Sequence, residues 1–247
     1  MNFKIALFGF ALSSQAFGAT PATCKALPTY KQLKEALTKS RQADNGGLNL
    51  DMWGTLVNRD GDVCAVAFTG ATRGDQWPGS RVISAQKANT ANAFSLPKLA
   101  LSTANIYSAV QPGSSLFGLQ ESNPVNIQVA YAGEAAKFGQ ENDPLVGKRI
   151  GGVNVFGGGL ALYNAKGELV GALGTSGDTS CADHNIAWRT RKVFNLDHVP
   201  AGVSPAKDDN IIYLADKESP VGFKHPLCGN KENTIELPAV AKAQGGQ

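Results

Sequence analysis

Charge is scarce in this 247-residue sequence: 17% of residues are Asp, Glu, Lys or Arg, scattered along the chain rather than run together. A formal net charge of +3 without a basic stripe gives no electrostatic footprint for nucleic acid or an anionic membrane. No apolar run is long enough to anchor the chain across a bilayer; residues 5–12 fall well short. Histidine occurs three times and cysteine four, with no Cys-x-x-Cys and no Cys/His spacing of a zinc site. Ser176 sits in Gly174-Thr175-Ser176-Gly177, which is not the Gly-x-Ser-x-Gly elbow of a hydrolase. Gly157-Gly158-Gly159 likewise lacks the Gly-x-Gly-x-x-Gly spacing that leads a strand into a dinucleotide-binding helix.

What is present first is a leader. Lys4 opens residues 1–18, residues 5–12 are apolar, and Ala16-Phe17-Gly18 offers small residues before a cut at Ala19. Pro21-Ala22-Thr23 before Cys24 is no lipobox. The mature chain is therefore expected to be soluble and periplasmic or secreted. The remainder, within a chain that is 43% hydrophobic, suits one globular domain over residues 19–195 with a C-terminal extension over 196–247. In an oxidising compartment Cys24, Cys64, Cys181 and Cys228 are expected to form disulfides. Three pairings are open. The one adopted joins Cys24 to Cys64, pinning the mature N-terminus to an early strand, and Cys181 to Cys228, tying the loop after a glycine-rich hairpin to the tail.

Residues 29–43 read as a helix capped by Thr29, with Leu33, Ala36 and Leu37 on one face and Gly46-Gly47 beyond its end. Residues 50–57 and 63–69 read as strands joined by the turn Asn58-Arg59-Asp60-Gly61. After a loop over residues 70–79, Ser80 is a candidate N-cap for a helix over 81–95, whose Ala85, Ala88 and Ala91 allow close packing on a sheet. Pro97 ends it, and residues 98–109 read as another helix, stopped by Pro112-Gly113. Residues 114–147 form a long polar, glycine-rich excursion. A second hairpin pairs 160–163 with 169–173 across Asn164-Ala165-Lys166-Gly167, and glycines flank it on both sides. A last helix covers 181–195, and an irregular tail follows, ending in an unordered stretch over 242–247. Hairpins interleaved with helices predict an α+β domain with a mostly antiparallel sheet flanked by helices.

Several of these segments, in this order, resemble the GlcG/HbpS-like haem-binding family, whose domain also ends PduO-type proteins. The matching residues are Asn58-Arg59-Asp60-Gly61, Ser80-Arg81, residues 85–91, Gly151-Gly152, Gly158-Gly159-Leu160, residues 170–177 and Asp183-His184-Asn185-Ile186-Ala187. The resemblance implies a profilin-like three-layer fold around a five-stranded antiparallel sheet, a homo-oligomer and, in some members, haem binding or an effect on haem degradation. The longer excursion, the tail beyond residue 195 and the four cysteines depart from the short members.

Within that resemblance, Arg81, Lys87, Gly158, Gly159, Ser176, Asp183 and His184 are the candidate ligand-binding residues. A lysine ammonium suits a propionate, although an exposed lysine is the plainer reading of Lys87. His184, beside Asp183 near the glycine loop, is the candidate iron ligand; His198 and His225 are weaker ones. Asp183 has a structural alternative as a carboxylate at a helix N-terminus. No Cys-x-x-Cys-His is present, so covalent haem attachment is excluded. The leading expectation is an exported haem- or tetrapyrrole-binding protein. The rivals are a haem-degrading or small-anion-processing enzyme, for which no acid/base pair stands out, and a non-catalytic oligomeric sensor or accessory subunit.

Overall fold

A computed structural model describes residues 22–215 and 222–243. The leader over residues 1–18, its cut before Ala19, and residues 244–247 of the expected unordered end lie outside the described residues.

Two hairpins build the sheet. β1 (Trp53–Asn58) pairs with β2 (Val63–Phe68), and β3 (Gly159–Tyr163) pairs with β4 (Leu169–Ser176). Antiparallel pairing of β1 with β4 joins them into the order β2-β1-β4-β3. Both turns use one device. The Asn58 side-chain oxygen accepts from the backbone N–H of Asp60 and Asp62, and Asn164 does the same for Lys166 and Glu168. Gly61 and Gly167 then take positive φ, 80° and 76°, where a side chain would be strained.

Helix α2 (Ser80–Phe94) covers one face of the sheet; α1 (Tyr30–Arg41) and α6 (Ser180–Val193) share the other. Three single-turn helices lie between α2 and β3: α3 (Thr103–Ile106), α4 (Leu119–Ser122) and α5 (Ile127–Ala130). The sheet is buried on both sides, so β1 and β2 carry no exposed residue. Trp53, Val57, Val66, Phe68 and Ala172 pack under Ala85, Ala88 and Ala91 of α2. On the opposite face Leu56, Ala65, Ala67, Leu160 and Leu173 meet Leu33 of α1 and Ala187 and Trp188 of α6. Both disulfides are formed, Cys24–Cys64 with Cα atoms 5.6 Å apart and Cys181–Cys228 with Cα atoms 6.1 Å apart.

Several expectations need correction. The sheet has four strands among the described residues, not five. Its two outer edges are instead covered by short irregular segments. Lys148 and Gly147 bond to Val63 of β2, and Leu196 and His198 bond to Tyr163 of β3. The helix expected over 98–109 shrinks to α3 and a following 3-10 turn, Tyr107–Val110. Leu96 and Leu99 close a tight turn around Pro97, and Ala100 donates to Ala201, so helix starts only at the Ser102 capping box. α2 starts at Ser80 without a side-chain cap, and the cap of α6 is Thr179, whose hydroxyl accepts from the Ala182 N–H.

β4 runs three residues further than expected, through Gly174, Thr175 and Ser176. Its glycines are therefore strand residues beneath a helix, not an exit loop. A Cβ on Gly174 would stand 1.9 Å from the Ser84 carbonyl oxygen of α2 and 2.5 Å from the Ala88 nitrogen.

Candidate functional site

The close approach of α2 to β4 carries Lys87 over the end of the sheet, where α6 begins. The Lys87 ammonium donates to Asp183 Oδ2 at 2.7 Å and to the Thr175 carbonyl at 3.1 Å. Asp183 Oδ1 accepts from the Asp178 N–H at 2.9 Å, and the Thr175 hydroxyl donates to the Asp183 carbonyl at 2.7 Å. Burial pushes the Asp183 carboxyl up to about 6, against the opposing attraction of Lys87. Gly158 fits this junction because a Cβ there would meet Thr175 O at 2.4 Å and Lys87 Nζ at 3.2 Å. Gly159 is enclosed in the same way by Thr103 and the Lys87 carbonyl. Ser176 ends β4 opposite Trp53 and is buried.

One residue along α6, His184 is fully buried. Its Nε2 accepts from the Ile211 N–H at 3.1 Å and lies 3.1 Å from Asn210 Oδ1; Nδ1 has no hydrogen-bond partner among the described residues. The ring lies 5.8 Å from that of Trp188. Burial lowers the imidazole to about 4, leaving it neutral at neutral pH. The tail segment over His184 is fixed beside it. Asp209 and Arg191 of α6, both wholly buried, form a two-pronged pair at 2.6 and 2.8 Å, and Arg191 also donates to the Ala161 carbonyl. Asn105 of α3 holds the Asn210 carbonyl at 3.0 Å.

The structure thus brings together Lys87, Gly158, Gly159, Asp183 and His184, with Ser176 adjoining. Arg81 lies elsewhere. Its guanidinium grips Asp143 through two nitrogens, donates to the Ala130 carbonyl at 2.9 Å and stacks 3.7 Å from the Phe138 ring, tying the 114–147 excursion to α2. His198 is held between Asn195 and the Lys242 carbonyl, and His225 lies beside the Cys181–Cys228 bridge. Sequence reasoning missed Asp143, Arg191, Asp209, Asn210 and Thr175. Only Thr175 lay inside a segment already singled out; nothing local marks the others.

Asn210 and Ile211 also form the wall of a cavity of about 270 Å³, lined further by Asn185, Tyr213, Leu227 and Glu232. His184 lies directly behind that wall and does not line the cavity. Because Nε2 accepts from the Ile211 N–H, the neutral ring carries its proton on Nδ1, and Nε2 holds the lone pair that an iron ligand needs. The space does not match it. The cavity is smaller than the roughly 300–1,000 Å³ typical of small-molecule sites, and the ring is sealed from it. A porphyrin does not fit against His184 while Asn210 and Ile211 stay in place.

Fold and site together define an α+β domain with one antiparallel sheet between helices and a buried Lys–Asp pair at a helix–strand junction. The chain belongs to the HbpS-like family, described as haem-degrading protein HbpS-like, whose model matches residues 35–191. Among solved structures, a PduOC–haem complex is 24% identical and covers 67% of this chain and 91% of its own, with a TM-score of 0.47. The Klebsiella pneumoniae protein ORFY is 24% identical over 76% of this chain and 97% of its own, TM-score 0.46. HbpS is 17% identical over 76% of this chain and 98% of its own, TM-score 0.44. No curated protein matches the chain.

Proposed function

We propose that this protein binds haem, with His184 as the iron ligand. The observation that carries this reading is family membership over residues 35–191, a span that contains Lys87, Gly158, Gly159, Ser176, Asp183 and His184. Bound haem would supply a redox-active iron. The chain's own residues supply the rest. His184 offers a neutral nitrogen, and Lys87 fixes Asp183 and so the first turn of α6 that presents it. Lys87 and Arg81 already have buried carboxylate partners, so their charges act first on the framework. Holding iron at His184 would require Asn210 and Ile211 to leave Nε2, which both contact in this structure. Export of the mature chain belongs to the same reading and is supported by the two disulfides. So does a homo-oligomer, which rests on the resemblance alone. Among the described residues no helix is long and apolar enough to cross a membrane.

Haemin titration tests this proposal. Saturable binding with a shifted Soret band is expected, and a titration that never departs from free haemin refutes it. His184→Ala should abolish the ligand-dependent Soret shift; an unchanged spectrum removes His184 as ligand while leaving haem binding in place. The family's description favours a second reading, haem degradation. Loss of the Soret band on incubation with haem and a reductant supports that reading, and a stable band rejects it.

A further inference from the structure

About one turn before His184 on α6, three ligand-type side chains meet where the middle of the tail crosses the helix. The Cys181 and Cys228 sulfurs and a His225 ring nitrogen lie within 4.8 Å of one another. We propose that Cys181, Cys228 and His225 form a site for a thiophilic cation such as Zn²⁺, closed while the disulfide stands and opened when a dithiol reduces it. This inference is independent of the haem reading.

The His225 ring faces this role with both nitrogens. Nδ1 lies 3.8 Å from Cys181 Sγ, and Nε2 lies 3.1 Å from Ser180 Oγ. With a cation on Nδ1, the Nε2 proton is donated to Ser180, the partnering that commonly orients a ligating imidazole. The cost is the present Nδ1–H bond to the Pro226 carbonyl, at 2.7 Å. That neutral bond is exchanged for coordination alongside two thiolates. Two thiolates on a tetrahedral zinc lie about 3.7 Å apart, from bonds of about 2.3 Å. Side chains whose Cα atoms are 6.1 Å apart reach that spacing by rotation. The loop that carries Cys228 is set by Glu232, whose carboxylate accepts the backbone N–H of Cys228, Gly229 and Asn230. The site is therefore held by the fold, not assembled by the ion.

Access is one-sided. Cys181 is fully buried while Cys228 is half-buried; Cys24 and Cys64 of the other bridge are both buried. A dithiol enters at Cys228 Sγ as thiolate, forms a mixed disulfide and releases Cys181 as thiolate in the first turn of α6, where the helix end favours negative charge. Its second thiol then displaces Cys228, so the reductant leaves as a disulfide and two cysteine thiols remain. Cation binding releases their protons to water.

The test uses the full chain carrying Cys24→Ser and Cys64→Ser, reduced with a dithiol, freed of it under nitrogen and titrated with Co²⁺. Thiolate-to-cobalt charge-transfer bands in the near ultraviolet and tetrahedral d–d bands are expected. They should saturate at one ion per chain and be displaced by Zn²⁺. The unreduced protein should show neither set, Cys181→Ser should lose both, and His225→Gln should shift the d–d bands and weaken binding at least tenfold. Absence of thiolate bands in the reduced protein overturns the proposal. So do equal bands in the unreduced protein, an unchanged titration in His225→Gln, or loss of native far-ultraviolet circular dichroism on reduction, because the site needs the folded loop.

Discussion

Replacing Gly174 by alanine should be among the most destabilising single-methyl additions to this protein. The added Cβ would lie 1.9 Å from Ser84 O, 2.5 Å from Ala88 N and 3.0 Å from Ser84 C. All three are backbone atoms of α2, so no side chain can swing aside. Bringing the closest contact to 3.0 Å, itself the shortest tolerable, means lifting the helix by at least 1.1 Å (3.0 minus 1.9). A gap of that order forfeits a quarter to a half of the dispersion energy at each facing contact. Ala85, Ala88 and Ala91 all face the sheet there. We expect a loss of about 3–5 kcal/mol, at or above the usual range for overpacked cores. Urea unfolding followed by circular dichroism reads this as a fall in midpoint at constant m. Gly79→Ala is the control, since nothing lies within 4 Å of its added Cβ, and it should change stability by less than about 0.5 kcal/mol. A Gly174→Ala loss below about 1 kcal/mol would refute the claim that protein backbone, not a ligand, occupies the space over β4.

Other outcomes follow from the buried charges. Asp209→Asn leaves Arg191 buried and unpaired and should cost about 3–5 kcal/mol, whereas the double change Arg191→Met/Asp209→Leu should recover most of it; both are read by urea unfolding. Acid should weaken the fold through His184 and His225, both lowered from 6.5 to about 4 chiefly by burial. Their unfolded forms bind protons first, so stability is lost as pH falls from 6.5 through 4, by roughly 3 kcal/mol each. Asp183, raised from 3.8 to about 6, acts oppositely and offsets part of this loss over the same descent. Two imidazoles against one carboxyl leave a net loss, and unfolding midpoints that stay flat or rise between pH 6.5 and 4 would contradict it.

The hairpins and the three long helices were legible because their signals are local. Asn58 and Asn164 carry their turns within five residues, and the Thr29 capping box sits three residues from its partner Gln32. The disulfide pairing was among three open choices. Glycines were visible, but sequence cannot say what fills the room they leave, and here it is α2. The pairs Arg81–Asp143 and Arg191–Asp209 were illegible because 62 and 18 positions separate their members and only tertiary packing brings them together. Lys87 and Asp183 were each singled out, yet nothing in spacing tied one to the other across 96 positions. His184 was chosen for its neighbours in sequence, while its actual surroundings come from the tail.

That tail also lies along α6. The Trp188 indole donates to the Pro238 carbonyl at 2.8 Å, Arg189 reaches Glu236 O and Lys192 reaches Ala239 O, while Leu237 and Val240 rest on the same apolar cluster as Trp188. The stretch that matches the family is consequently roofed along α6 by the tail in this chain. A fragment trimmed after residue 195 would turn an indole and its greasy surroundings to water and forfeit the Cys228 tether.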